Sequence, residues 1–75
     1  MSVELIINGE KRRFSPAGTK QLSLNELLVC HLNYPASGQG YVVAVDGSLV
    51  AIENWSETVL KGGEVIDVLG AITGG

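Results

Sequence analysis

Seventy-five residues, 45% of them apolar, suffice for one folded domain and are too few for a second core or a cleft between two lobes. Five Lys and Arg against eight Asp and Glu give a net charge of -3, which excludes the broad basic face that nucleic acid requires and permits a partner with a basic surface. The lone Cys30 cannot close an internal disulfide, no charged leader precedes an apolar stretch, and no apolar run approaches a membrane span, so the expected setting is the cytoplasm.

In chain order, Val3-Glu4-Leu5-Ile6-Ile7 reads as a strand with Val3, Leu5 and Ile7 on one face. Asn8-Gly9 suits the positive φ angles of a type I′ turn, and Glu10–Phe14 returns as a second strand, its Lys11, Arg12 and Arg13 marking an exposed edge. Ser15-Pro16-Ala17-Gly18 is a loop. Ser23-Leu24-Asn25-Glu26 is a capping box, in which the Ser23 hydroxyl takes the Glu26 amide and the Glu26 carboxylate reaches back. The helix it starts carries an apolar stripe of Leu24, Leu27, Leu28 and Leu32 and should end near Asn33, because Pro35 disfavours helical geometry at Tyr34. Residues 36–40 read as a flexible loop.

The run Tyr41-Val42-Val43-Ala44-Val45 has the pattern of a central strand covered on both faces or packed under the helix. Asp46-Gly47 is a second hairpin turn, followed by a short strand over residues 49–51. Asn54-Trp55-Ser56-Glu57 predicts a helical turn, Lys61-Gly62-Gly63 another turn, and Val65–Leu69 the last strand. One helix crossing a mixed sheet of four to five strands is the economical burial for this order: an α+β, β-grasp fold over residues 1–70, with a flexible tail over 71–75.

The tail is the chemically informative part. Two consecutive glycines without side chains can thread an extended backbone into a narrow cleft, placing the Gly75 carboxylate at a reaction centre. A carboxylate is a poor acyl donor; converted to an acyl-adenylate it gains a good leaving group, and a sulfur nucleophile on a partner can attack the carbonyl. The domain supplies the terminus and a docking face, and the catalytic groups belong to its partners.

Taken together, Val42-Val43-Ala44-Val45-Asp46-Gly47-Ser48-Leu49-Val50-Ala51, Trp55, Thr58-Val59-Leu60-Lys61-Gly62-Gly63-Glu64 and Ala71-Ile72-Thr73-Gly74-Gly75 resemble the ThiS family, the ubiquitin-like sulfur carriers of bacterial thiamine biosynthesis. The Ile7-Asn8-Gly9-Glu10 hairpin and the Leu24-Asn25-Glu26-Leu27-Leu28 helix start fit as well, so the resemblance spans the whole chain. It implies a non-enzymatic, monomeric carrier that binds no cofactor itself. A ThiF-like adenylyltransferase would use ATP to activate Gly75, a cysteine-persulfide donor would convert it to a thiocarboxylate, and thiazole synthase would accept the sulfur. Gly74 would be the required small neighbour, and the stretch from Gly70 through Ala71 and Ile72 to Thr73 the arm entering both partners. The 33–41 segment is longer than the family's pattern leads one to expect.

Other residues read more plainly. Adjacent helical positions diverge by about 100°, so Cys30 and His31 do not converge on one metal ion, and the chain has no further Cys or His to complete a zinc site. Trp55 is expected as a lid on the core, with Ile52, Val59 and Leu60 near it. Glu53, Glu57, Glu64 and Asp67 form no acid/base pair and are expected to make an acidic surface. The rival readings are the small subunit of molybdopterin synthase, a ubiquitin-like protein modifier attacked by a lysine amine, and a plain interaction domain with an inert tail.

Overall fold

The period-two alternation of the first segment becomes β1 (Val3–Ile7) in the computed structural model, which describes residues 2–16 and 21–70. Leu5 and Ile7 are buried and Val3 packs against them. Asn8 and Gly9 take φ of 50° and 87°, the pair of positive angles a type I′ turn needs. β2 (Glu10–Phe14) therefore folds straight back, in register from Ile7 opposite Glu10 to Val3 opposite Phe14. Its three cations are exposed on the sheet edge, as expected, with the Arg12 guanidinium 5.3 Å from the centre of the Phe14 ring.

The capping box starts the helix where its hydroxyl predicts. Ser23 accepts the Glu26 amide at 3.0 Å, and α1 (Leu24–Glu26) begins at the next residue. The helix then widens to π geometry over Leu27–His31, with the Leu32 amide donating to the Leu27 carbonyl five residues back. Asn33 closes it in the left-handed region (φ 62°), and the Tyr34 amide reaches the Leu28 carbonyl at 2.8 Å. Leu24, Leu27 and Leu28 are fully buried and Leu32 packs at their margin, so the leucine stripe is the face laid on the sheet.

Two hairpins and the final strand form a five-stranded sheet, completed by β4 (Val42–Val45), β5 (Ser48–Val50) and β7 (Val65–Leu69) in the order β2-β1-β7-β4-β5. Only the β1–β7 pairing is parallel. β4 is interior, but the middle of the sheet belongs to β7, which joins the two hairpins. A second sheet, absent from the expected order, pairs β3 (Leu22–Ser23) with β6 (Val59–Leu60). Its Leu22 and Leu60 are buried against the main core.

Between the sheets, Ile52–Glu57 forms a 3₁₀ segment that extends the expected turn at Trp55. Trp55 is 2% exposed and its indole N–H donates to the Val50 carbonyl at 3.0 Å, so it is a core lid with its one polar atom satisfied. The five-stranded sheet under one short helix is the β-grasp arrangement of the α+β class.

Candidate functional site

The strand that leads towards the carboxy-terminal glycines is clamped along both sides. β1 can pair with β7 only at Ile6 and Ile7, because the chain turns at Asn8. Asn8 then replaces the missing strand: its amide donates to the Ile66 carbonyl (2.9 Å) and its Oδ1 accepts the Val68 amide (2.8 Å). On the opposite side the second turn does the same. The Asp46 amide donates to the Val65 carbonyl (2.8 Å) and Asp46 Oδ1 accepts the Val65 amide (3.0 Å). Asx residues suit both tasks, since they tolerate the left-handed region and carry a side-chain acceptor. At the start of β7 the Glu64 carboxylate accepts the Lys61 and Gly62 amides at 3.0 and 2.7 Å.

Register places alternate residues of the sheet on its outer face, away from the helix. Val42 lies opposite Leu69, and Ala44 lies between Leu49 and Asp67. Val42 and Leu69 are each 51% exposed and Leu49 69%. Three large apolar side chains thus stand in water beside the end of β7, with the Asp67 carboxylate among them.

The end of β7 is also closely packed. Gly70 sits against residues 40 and 41, and a Cβ there would lie 2.5 Å from both the Gly40 carbonyl oxygen and Tyr41 Cα. Tyr41 is held in turn: its hydroxyl donates to the Pro35 carbonyl at 2.6 Å, and its ring lies 5.1 Å from Tyr34 and 5.7 Å from Trp55. Burial, with Tyr34 adding to it, pushes the Tyr41 phenol above its ordinary pKa. The 36–40 segment, expected as a flexible loop, is thereby tied into the core through Gly38, where a Cβ would meet Ile52 and Trp55.

The predicted site residues Ala71, Ile72, Thr73, Gly74 and Gly75 lie outside the described residues. Cys30 is exposed; His31 points towards Phe14 (ring centres 5.5 Å apart) and stands 3.9 Å from the Glu26 carboxylate. No group of three or more His, Cys, Asp or Glu side chains among the described residues is placed to hold a metal ion. The expected acidic surface divides: Glu53 and Glu57 are exposed on the 3₁₀ segment, Asp67 lies on the outer sheet face, and Glu64 is taken up by its turn. The Asx clamp, the outer apolar face and the packing of Gly70 were missed in the sequence. Only the Asn-Gly and Asp-Gly turns carried a local signal of them.

The ThiS family profile matches residues 5–75, nearly the full chain. Among solved structures, the chain is similar to the thiamine biosynthesis protein (ThiS) from Geobacter metallireducens, at 25% identity and a TM-score of 0.67. That similarity covers 97% of this chain and 100% of the other. A comparison with curated protein sequences finds no match.

Proposed function

The chain belongs to the ThiS family, the ubiquitin-like β-grasp sulfur carriers of thiamine biosynthesis, and from that premise we propose that Gly75 is the residue on which it carries sulfur. A carboxylate oxygen of Gly75 attacks the α-phosphorus of ATP in a ThiF-like adenylyltransferase, and pyrophosphate leaves. The terminal sulfur of a cysteine persulfide attacks the acyl-adenylate carbonyl and displaces AMP, giving an acyl disulfide. A partner thiol then cleaves the S–S bond, forming its own disulfide and leaving the thiocarboxylate, whose sulfur thiazole synthase accepts. The chain works as a monomer in the cytoplasm, holds no cofactor, and contributes Gly74 and the arm Ala71, Ile72 and Thr73.

The observation that carries this reading is that the family match runs through Gly74 and Gly75. The outer sheet face supports it, because Leu69 and its register partner Val42, with Leu49 on the edge strand beyond, put exposed apolar side chains on the sheet that leads to those glycines. The family match favours thiazole formation over the molybdopterin rival, which shares the terminal Gly-Gly.

Intact-mass analysis tests the proposal. Incubation with ATP, adenylyltransferase and a cysteine-persulfide donor should replace one oxygen of the chain by sulfur, and removal of residues 74 and 75 should abolish the change. A chain that gains no sulfur under conditions where a related carrier is charged overturns it.

A further inference from the structure

Gly70 meets backbone on its closest side. A Cβ at this position would lie 2.5 Å from the Gly40 carbonyl oxygen, 2.5 Å from Tyr41 Cα and 2.9 Å from Tyr41 Cβ. None of these atoms moves by a rotamer change, so any side chain at position 70 forces one of the two backbones aside.

The two backbones are unequally held. Residue 41 is fixed by the Tyr41–Pro35 hydrogen bond and by a ring that is 5% exposed between Tyr34 and Trp55. In the preceding turn Gly38 leaves no room for a side chain, since a Cβ there would meet Ile52 and Trp55. The end of β7 has less to hold it. Its last register pair with β4 is Leu69 opposite Val42, and on the other side the Asn8 side chain reaches only the Val68 amide. The strand end is therefore what yields.

We propose that Gly70 is a positioning residue for the chemistry at Gly75: by letting β7 close against the Gly40–Tyr41 backbone, it fixes where the end of that strand sits, five residues before the reacting carboxylate. This rests on the sulfur-carrier reading above. With the outer face docked on an activating enzyme, the five residues beyond Gly70 have a reach of at most about 18 Å. A displacement of their origin moves the carboxylate relative to the α-phosphorus of ATP without altering the docking face. Misplacement by about 1 Å can cost a reaction up to about a hundredfold, and a smaller displacement correspondingly less.

Steady-state pyrophosphate release by the cognate adenylyltransferase, with ATP and the full chain as varied substrate, tests this. Gly70→Ala should lower kcat about tenfold with little change in KM, while far-UV circular dichroism and a cooperative melt show the fold retained. Tyr41→Phe, which removes only the hydroxyl bond bracing the turn, should lower kcat less, again with KM unchanged. A folded Gly70→Ala chain with wild-type kcat, or with its loss confined to KM, overturns the inference. If Gly70→Ala does not fold, Tyr41→Phe decides, and an unchanged kcat overturns it. A wild-type chain that releases no pyrophosphate overturns the sulfur-carrier reading and this inference with it; the variant outcomes bear on this inference alone.

Discussion

The two faces of the five-stranded sheet are made by alternate residues of the same strands, yet they differ in kind. Inward, Leu5, Ile7, Val43 and Ile66 are at most 5% exposed and lie under the leucine stripe and Trp55. Outward, Val42, Leu49 and Leu69 are comparably apolar and at least half exposed. Composition along a strand does not distinguish them; what lies opposite does. The inner face is stabilised by burial within the chain, and the outer face leaves its apolar side chains in water.

The largest expected effect comes from breaking the inner side. Trp55→Ala removes a side chain that is 2% exposed, stacks on Tyr41 and bonds to the Val50 carbonyl. Truncation of a buried Trp costs about 3–5 kcal/mol. In a domain this small each kcal/mol lowers the melting temperature by about 4–8 °C, so a melt should show a fall of well over 10 °C. A fall of a few degrees would mean that Trp55 is not the lid its burial indicates.

An outer-face substitution of similar chemical severity should do the reverse. Leu49→Asp places a charge on a side chain that is 69% exposed on edge strand β5, and its effect on stability should stay within about 0.5 kcal/mol. If the outer face docks the activating enzyme, KM for the chain should rise about tenfold, equivalent to about 1.4 kcal/mol. The contrast with Gly70→Ala is then direct: the face governs KM and the strand end governs kcat. A Leu49→Asp chain with unchanged KM removes β5 from the contact surface.

The sequence announces those features whose dihedral demands sit in adjacent residues. Asn8-Gly9 and Asp46-Gly47 specify their turns, Ser23 with Glu26 specifies the helix start, and Val3, Leu5 and Ile7 specify a half-buried strand. What it conceals is non-local. The two-residue strands β3 and β6 exist because Leu22 meets Leu60, and nothing near either residue has a period to read. Asn8 is legible as a turn residue, but its bond to the Val68 amide spans 60 positions. The outer face was hidden because the run Tyr41-Val42-Val43-Ala44-Val45 is apolar at both parities, so periodicity could not assign Val42 to solvent. Gly70 reads from the sequence as the start of the arm rather than as a packed residue, since the atoms that require it are backbone atoms of Gly40 and Tyr41. For the candidate site itself, the Gly74-Gly75 reading rested on residue identity and resemblance, and those residues lie outside the described part of the structure.

The smallest expected effect sharpens the comparison at the seam between the faces, where Tyr41 braces the turn that meets Gly70. Burial first, and Tyr34 second, raise the Tyr41 phenol above its ordinary pKa of about 10. The unfolded chain therefore releases this proton at lower pH than the folded one, and folding stability declines as pH rises through that interval. Below about pH 10 the wild type should exceed Tyr41→Phe by the worth of its bond to Pro35, about 1 kcal/mol. Above it the advantage should shrink, because a phenolate has no proton to donate and faces a carbonyl oxygen 2.6 Å away. The lysines are common to both chains, so the difference between their urea midpoints from pH 8 to 11 reports the Tyr41 phenol together with its repulsion from Tyr34. A difference that stays constant across that range would show that the Tyr41 hydroxyl is solvated in the folded protein. The turn would then lack the brace that makes β7, rather than residues 40 and 41, the side that yields.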